Sequence, residues 1–78
     1  MGRIAGRYTT RRDGGLTYMY DATWRPAGEG IIWSATVKLD GELAGAPNGQ
    51  IRNTAGVRLA DEVRRLVETA IETRAGVK

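Results

Sequence analysis

The chain has 78 residues, with 12 Lys and Arg against 9 Asp and Glu, and it contains neither cysteine nor histidine. Without these two residue types there is no disulfide, no thiolate or imidazole metal ligand and no nucleophile activated by histidine. Most enzyme classes are thereby excluded, and the composition calls for neither a metal nor a cofactor. We expect residues 1–78 to form one small, non-enzymatic binding domain.

The start of the chain has no apolar run of the kind that a secretory signal requires. No later stretch approaches the roughly 18 apolar residues of a membrane span. These features predict a cytoplasmic protein with no membrane partner.

Three strands are predicted in the first half of the chain. Residues 4–11, 15–24 and 31–39 are rich in Tyr, Trp, Thr, Ile and Val, which are typical of strands. Glycine-containing segments at 12–15 and 26–30 separate them and predict turns. We expect the three strands to form an antiparallel meander.

Side-chain size predicts how these strands pair. A three-residue first loop places Gly6 opposite Tyr20, and a longer second loop places Trp24 opposite Ile31. With both registers, all five aromatic residues lie on one face of the sheet. That predicted core face carries Ile4, Tyr8, Leu16, Tyr18, Tyr20, Trp24, Ile31, Trp33, Val37 and Leu39.

A helix is predicted at residues 57–75, where apolar residues recur at three- and four-residue spacing. Its apolar stripe is expected to cover the aromatic face, which gives an α+β fold of the order β-β-β-α. Between the third strand and the helix, Asp40-Gly41 is a hairpin signal. It predicts a fourth short strand, either at 42–44 or at 50–53.

The opposite side of the sheet, here called the outer face, is polar and cationic. Residues 1–25 carry five Arg and only two acidic residues, and alternation places several of the basic side chains on this face. A cationic sheet surface is suited to binding the phosphates and bases of nucleic acid. The candidate binding residues are Arg3, Arg7, Arg11 and Lys38 on the strands, with Arg12 and Arg25 in the adjoining turns.

Asp21 is the only acidic residue in the middle of the predicted outer face. Arg3 or Arg7 on the neighbouring strand is expected to reach it diagonally. We interpret Asp21 as a member of a structural ion pair.

The order of three antiparallel strands followed by a helix resembles the sheet-reading DNA-binding domains of the plant AP2 and integrase amino-terminal type. It is also similar to the strand–strand–strand–helix part of double-stranded RNA-binding domains. The resemblance covers the order of the elements and implies contact with nucleic acid through arginines on the sheet. The chain departs from the RNA-binding pattern at the helix start, where Arg58 is followed by Leu59, Ala60, Asp61 and Glu62 instead of a lysine cluster.

A second hypothesis is a protein-interaction module, such as a homodimer, with no role in nucleic-acid binding. A meander leaves two strand edges unpaired, and the first strand contains no proline that would block pairing with another chain. Salt-dependent binding to nucleic acid distinguishes the first hypothesis from this one.

Overall fold

The computed structural model describes residues 2–11, 14–52 and 58–77. Within them lie strands β1 (Gly2–Thr9), β2 (Thr17–Ala27), β3 (Gly30–Leu39), β4 (Glu42–Gly45) and β5 (Asn48–Ile51), followed by helix α1 (Leu59–Thr73). The strands form one antiparallel sheet in the order β1-β2-β3-β4, with β5 also paired to β3. The helix packs on one face of this sheet. The predicted α+β fold is confirmed.

The predicted pairing of β1 with β2 is confirmed residue by residue. Tyr8 lies opposite Tyr18, and Gly6 lies opposite Tyr20. The same register places Gly2 against Trp24, so close that a Cβ on Gly2 would lie 2.1 Å from the indole ring. Small residues on β1 thus make room for large side chains on β2.

The predicted pairing of β2 with β3 is wrong by two residues. Trp24 lies opposite Trp33 instead of Ile31. Both strands continue further than expected, to Ala27 and Gly30, and Gly28 with a φ of 61° begins a two-residue turn between them. Because a shift of two residues returns each side chain to the same face, the predicted core face survives the error.

A strand is found near each of the two predicted places, and together β4 and β5 make one interrupted strand. β5 begins two residues earlier than the predicted 50–53, and Asn53 lies outside the described residues. β4 pairs with the end of β3 at Leu39, and β5 pairs with its beginning at Ile31. Ala46 and Pro47 separate the two halves, and the backbone N–H of Ala35 donates to the carbonyl of Pro47 at 2.9 Å. A tight turn at Asp40-Gly41, with φ of 53° and 81°, begins this strand as predicted.

The core lies between the predicted face of the sheet and the apolar stripe of the helix. Its largest fully buried side chains are Tyr18, Val37, Val63, Val67 and Ile71. Leu16 was predicted in this core, but it precedes the first residue of β2 and is 38% exposed.

The helix begins at Leu59 and ends at Thr73, two residues before the end of the predicted span 57–75. Val57 lies outside the described residues. Arg74 follows in the left-handed conformation, with a φ of 59°. This turn directs the chain back to the sheet, where the buried Val77 forms a bridge with Gly45.

Candidate nucleic-acid interface

The outer face is the side of the sheet opposite α1. Strand alternation and the observed registers extend it over all five strands. Its described residues are Arg3, Ala5, Arg7 and Thr9 on β1; Thr17, Met19, Asp21, Thr23 and Arg25 on β2; Ile32, Ser34, Thr36 and Lys38 on β3; Leu43 on β4; and Asn48 and Gln50 on β5.

Two rows of side chains cross this face at opposite ends. At one end, Arg25, Ile32 and Gln50 lie side by side on β2, β3 and β5. We call this the narrow end, because the pairing of β1 with β2 stops at Trp24 and three strands remain. At the other end, which we call the wide end, the four neighbouring strands β1, β2, β3 and β4 contribute one residue each to a row. The row is Arg7, Met19, Lys38 and Leu43.

Three of the predicted binding residues lie exposed on this face. Arg7 and Lys38 stand two strands apart in the wide row, about 10 Å at a strand spacing of about 4.8 Å. Arg25, predicted in a turn, instead lies within β2 at the narrow end. Among the described residues, none of these three side chains has a carboxylate partner. Their charges are therefore available to a ligand.

Arg3 is also on the outer face, but its charge is already paired. Its Nε donates to Oδ1 of Asp21 at 2.9 Å, and its Nη2 donates to Oδ2. This hydrogen bonding lowers the pKa of Asp21 below its usual value and raises the pKa of Arg3. The expected ion pair is thus made by Arg3 and not by Arg7. Four cations and one carboxylate leave the described outer face with a net charge of +3.

Arg11 does not join the outer face, contrary to the prediction. β1 ends at Thr9, and beyond it the backbone N–H of Arg11 donates to Oε1 of Glu72 at 2.8 Å. Arg11 therefore lines a groove of about 330 Å³ between β1 and the helix, together with Tyr8 and Glu68. Arg12, the remaining candidate, lies outside the described residues.

Asn48 and Gln50 belong to the outer face but are absent from the predicted binding residues, although Gln50 lies in the predicted strand alternative 50–53. Asn48 is opposite Ser34, and Gln50 is opposite Ile32. The signal that identifies them is the alternation of polar and non-polar residues from Asn48 to Ile51. Pro47 obscured it, because proline is rare inside a strand.

The opposite face of the sheet carries polar contacts that attach it to the helix. The Tyr8 hydroxyl donates to Glu72 at 2.9 Å, and the Tyr20 hydroxyl donates to Glu68 at 3.2 Å. Arg64 in turn donates to the Tyr20 oxygen at 2.9 Å. Each of these groups has a partner inside the protein, so we interpret the cluster as structural.

Comparison of the chain with protein-family models, curated proteins and solved structures gives no match. In the described parts of the chain, acidic side chains form no group of three that is able to hold a metal ion. The one described helix is too short and too polar to cross a membrane.

Proposed function

We propose that this protein binds duplex nucleic acid through the outer face of its sheet. The observation that carries the proposal is a set of three exposed cations on one face of the sheet, Arg7, Arg25 and Lys38. None of the three has a carboxylate partner among the described residues. Phosphate contacts supply most of the affinity in nucleic-acid binding, and they require accessible arginine and lysine side chains.

The position of the aromatic residues favours a duplex over a single strand. Proteins that bind single strands stack the bases on exposed aromatic rings. All five aromatic residues of this chain lie on the helix side of the sheet, where Tyr18, Tyr20 and Trp33 are buried. The outer face therefore offers charge and hydrogen bonds, but no aromatic ring to a base.

The narrow end has the dimensions and side chains for contacts with base edges. Three strands span about 10 Å, and the major groove is about 12 Å wide. Arg25, Asn48 and Gln50 project there, and these residue types form paired hydrogen bonds with guanine or adenine. Arg7 and Lys38 lie six residues further along the strands, about 20 Å away. At that distance they contact phosphates beyond the groove.

Titration with salt tests the proposal. Wild-type protein is expected to bind a mixed-sequence duplex at about 50 mM salt, with affinity that falls as salt rises. The double variant Arg7→Gln/Lys38→Gln should lower the slope of log K against log salt by about two, since each contact contributes about 0.9. Arg25→Gln should mainly reduce discrimination between sequences, by about 1–3 kcal/mol per base pair.

Arg58→Gln is the matched control. Arg58 is exposed at the start of the helix, on the other side of the sheet, and its replacement removes one positive charge, as each of the two substitutions in the double variant does. It should leave the slope unchanged. A loss of about 0.9 in the slope of the control, half that of the double variant, would show that only net charge matters, and no binding at about 50 mM salt would refute the proposal.

A further inference from the structure

The two edges of the sheet are protected very differently. At the β4–β5 edge, Pro47 interrupts the strand and Val77 covers Gly45. The contact is so close that a Cβ on Gly45 would lie 2.1 Å from the carbonyl oxygen of Gly76. At the other edge, β1 runs for eight residues without proline or bulge, and within the described chain only β2 pairs with it. An open strand of this length is a template for pairing with another chain.

The hydrogen bonds of β1 show which of its backbone groups are unused. The N–H of Thr10 donates to the carbonyl of Leu16 at 2.9 Å, in the same register as the rest of the β1–β2 pair. In an antiparallel pair, every second residue bonds to the partner strand. The even-numbered residues of β1 therefore bond to β2. The odd-numbered ones, Arg3, Ala5, Arg7 and Thr9, direct their N–H and C=O groups to the open edge.

The position of α1 suits a second copy of the chain at this edge. The helix lies over β1 and β2 about equally, and less over β3. If two copies paired through β1, their helices would lie about two strand spacings apart, or about 10 Å. Helices in contact pack at axial distances of about 8–10 Å. The continued sheet and a helix–helix contact are thus compatible in one dimer.

The flank of the helix above β1 carries both positive and negative side chains, so that the same flank on a second copy can pair opposite charges with it. Arg65, Glu68, Thr69 and Glu72 of the helix line the groove beside Tyr8. Glu68 already accepts the Tyr20 hydroxyl within the same copy. In a two-fold dimer the helices would run antiparallel, so that Arg65 would come close to the partner's Glu72, with the small Thr69 between them. Arg65 also donates to Glu62 in its own helix, and a guanidinium has enough N–H groups to bridge both carboxylates.

We propose that the protein is a homodimer in which β1 pairs antiparallel with the partner's β1. The register with Gly6 at the two-fold axis places Ala5 opposite the partner's Arg7. It avoids arginine opposite arginine, which like-charge repulsion disfavours. The four outward-facing residues then form about eight backbone hydrogen bonds with the partner. The interface does not depend on nucleic acid, so its test is separate from that of the proposed function.

Amide hydrogen exchange on the wild-type protein tests the register directly. In the dimer, the amides of Ala5 and Arg7 should exchange at least about tenfold more slowly than on dilution to the monomer. The amides of Gly6 and Tyr8 should be protected in both states, since they bond to β2. If the amides of Ala5 and Arg7 exchanged at the same rate at high and at low protein concentration, the proposal would be overturned.

A proline substitution in β1, combined with a measurement of the molecular mass in solution, tests the same edge. Sedimentation should give about 17 kDa for wild type, twice the chain mass of 8.5 kDa. Ala5→Pro removes an outward N–H without removing a bond to β2, and it should sediment as a monomer with an unchanged circular-dichroism spectrum. The control Ala5→Gly keeps the N–H and should remain a dimer. A monomeric wild type at about 1 mM, or a dimeric Ala5→Pro, would refute the β1 interface.

Discussion

At the scale of single residues, Asp21 lowers the positive charge of the outer face by one. It is the one carboxylate among the described residues of that face, and Arg3 binds it with two hydrogen bonds. Both side chains are substantially exposed, at 69% for Arg3 and 41% for Asp21. Exposed ion pairs add little to stability. The pair therefore affects the electrostatics of the surface more than the free energy of unfolding.

Replacing Asp21 with Asn should therefore strengthen binding to a duplex. The change releases Arg3 and raises the charge of the described outer face from +3 to +4, so the slope of log K against log salt should increase by about one. Binding titrations at several salt concentrations measure this.

The control for this prediction is Glu62→Gln. Glu62 accepts a hydrogen bond from Arg65 on the helix, so the variant breaks a comparable pair away from the outer face. If both variants steepened the salt dependence equally, net charge and not the outer face would govern binding.

At the scale of the elements, the hydroxyl groups of Tyr8 and Tyr20 join the sheet to the helix. Tyrosine hydroxyls titrate at alkaline pH. The hydrogen bond to Glu72 is the main cause that raises the pKa of Tyr8. For Tyr20, burial is the main cause of a raised pKa, and the nearby Glu68 adds to it. Ionisation of either tyrosine places a negative charge beside a carboxylate and weakens the contact between sheet and helix.

We expect stability to fall at alkaline pH for this reason. The unfolded pKa of tyrosine is about 10, and the folded values are higher. The stabilising contribution is thus fully present below about pH 10 and is lost as pH rises through the folded pKa values. Melting temperatures measured by circular dichroism from about pH 8 to about pH 12 test this expectation.

The variant Tyr8→Phe separates one contact from general alkaline unfolding. It lacks the hydroxyl that donates to Glu72, so its melting temperature should be lower at neutral pH and should decline less steeply above about pH 10. A decline parallel to that of wild type would show that Tyr8 does not contribute.

The strand pairings show which features of the fold can be predicted from the sequence. The β1–β2 register was predictable because a short loop and the match of Gly6 with Tyr20 agree. The β2–β3 register was not, because Pro26 indicated a loop although it pairs with Ile31 inside the strands. Pro26 is tolerated there because it lies beyond Trp24, where the β1 pairing ends. Local turn geometry, and not the apolar pattern, decided the register.

The candidate site was predictable only where strand alternation determines it. Arg3, Arg7 and Lys38 lie where alternation predicts. The sequence did not reveal that Arg11 turns toward the helix, since this depends on the distant Glu72. Nor did it reveal Asn48, whose position requires β5 to rejoin β3 after Pro47. Contacts between residues far apart in the chain determine both positions.

At the scale of the whole molecule, the proposed dimer gives the two narrow ends a defined separation. From Gly6 at the two-fold axis to the row of Arg25 is five residues along the strands, about 17 Å. The two copies point in opposite directions, so their Arg25 side chains lie about 34 Å apart along the strands and about 14 Å apart across them, or about 37 Å in all, on one continuous outer face. One turn of B-DNA measures about 34–36 Å.

A dimer of this shape should prefer two half-sites in inverted orientation, with centres about 10–10.5 base pairs apart. Selection from a random pool of duplexes, followed by titration of the selected sites, measures the preference. Adding about five base pairs between the half-sites turns them to opposite faces of the helix and should abolish it. Ala5→Pro should retain salt-dependent binding to a single half-site but lose the spacing preference, because Arg25 and Gln50 remain while the interface is gone. A spacing preference that persisted in Ala5→Pro would show that β1 pairing does not set the distance between half-sites.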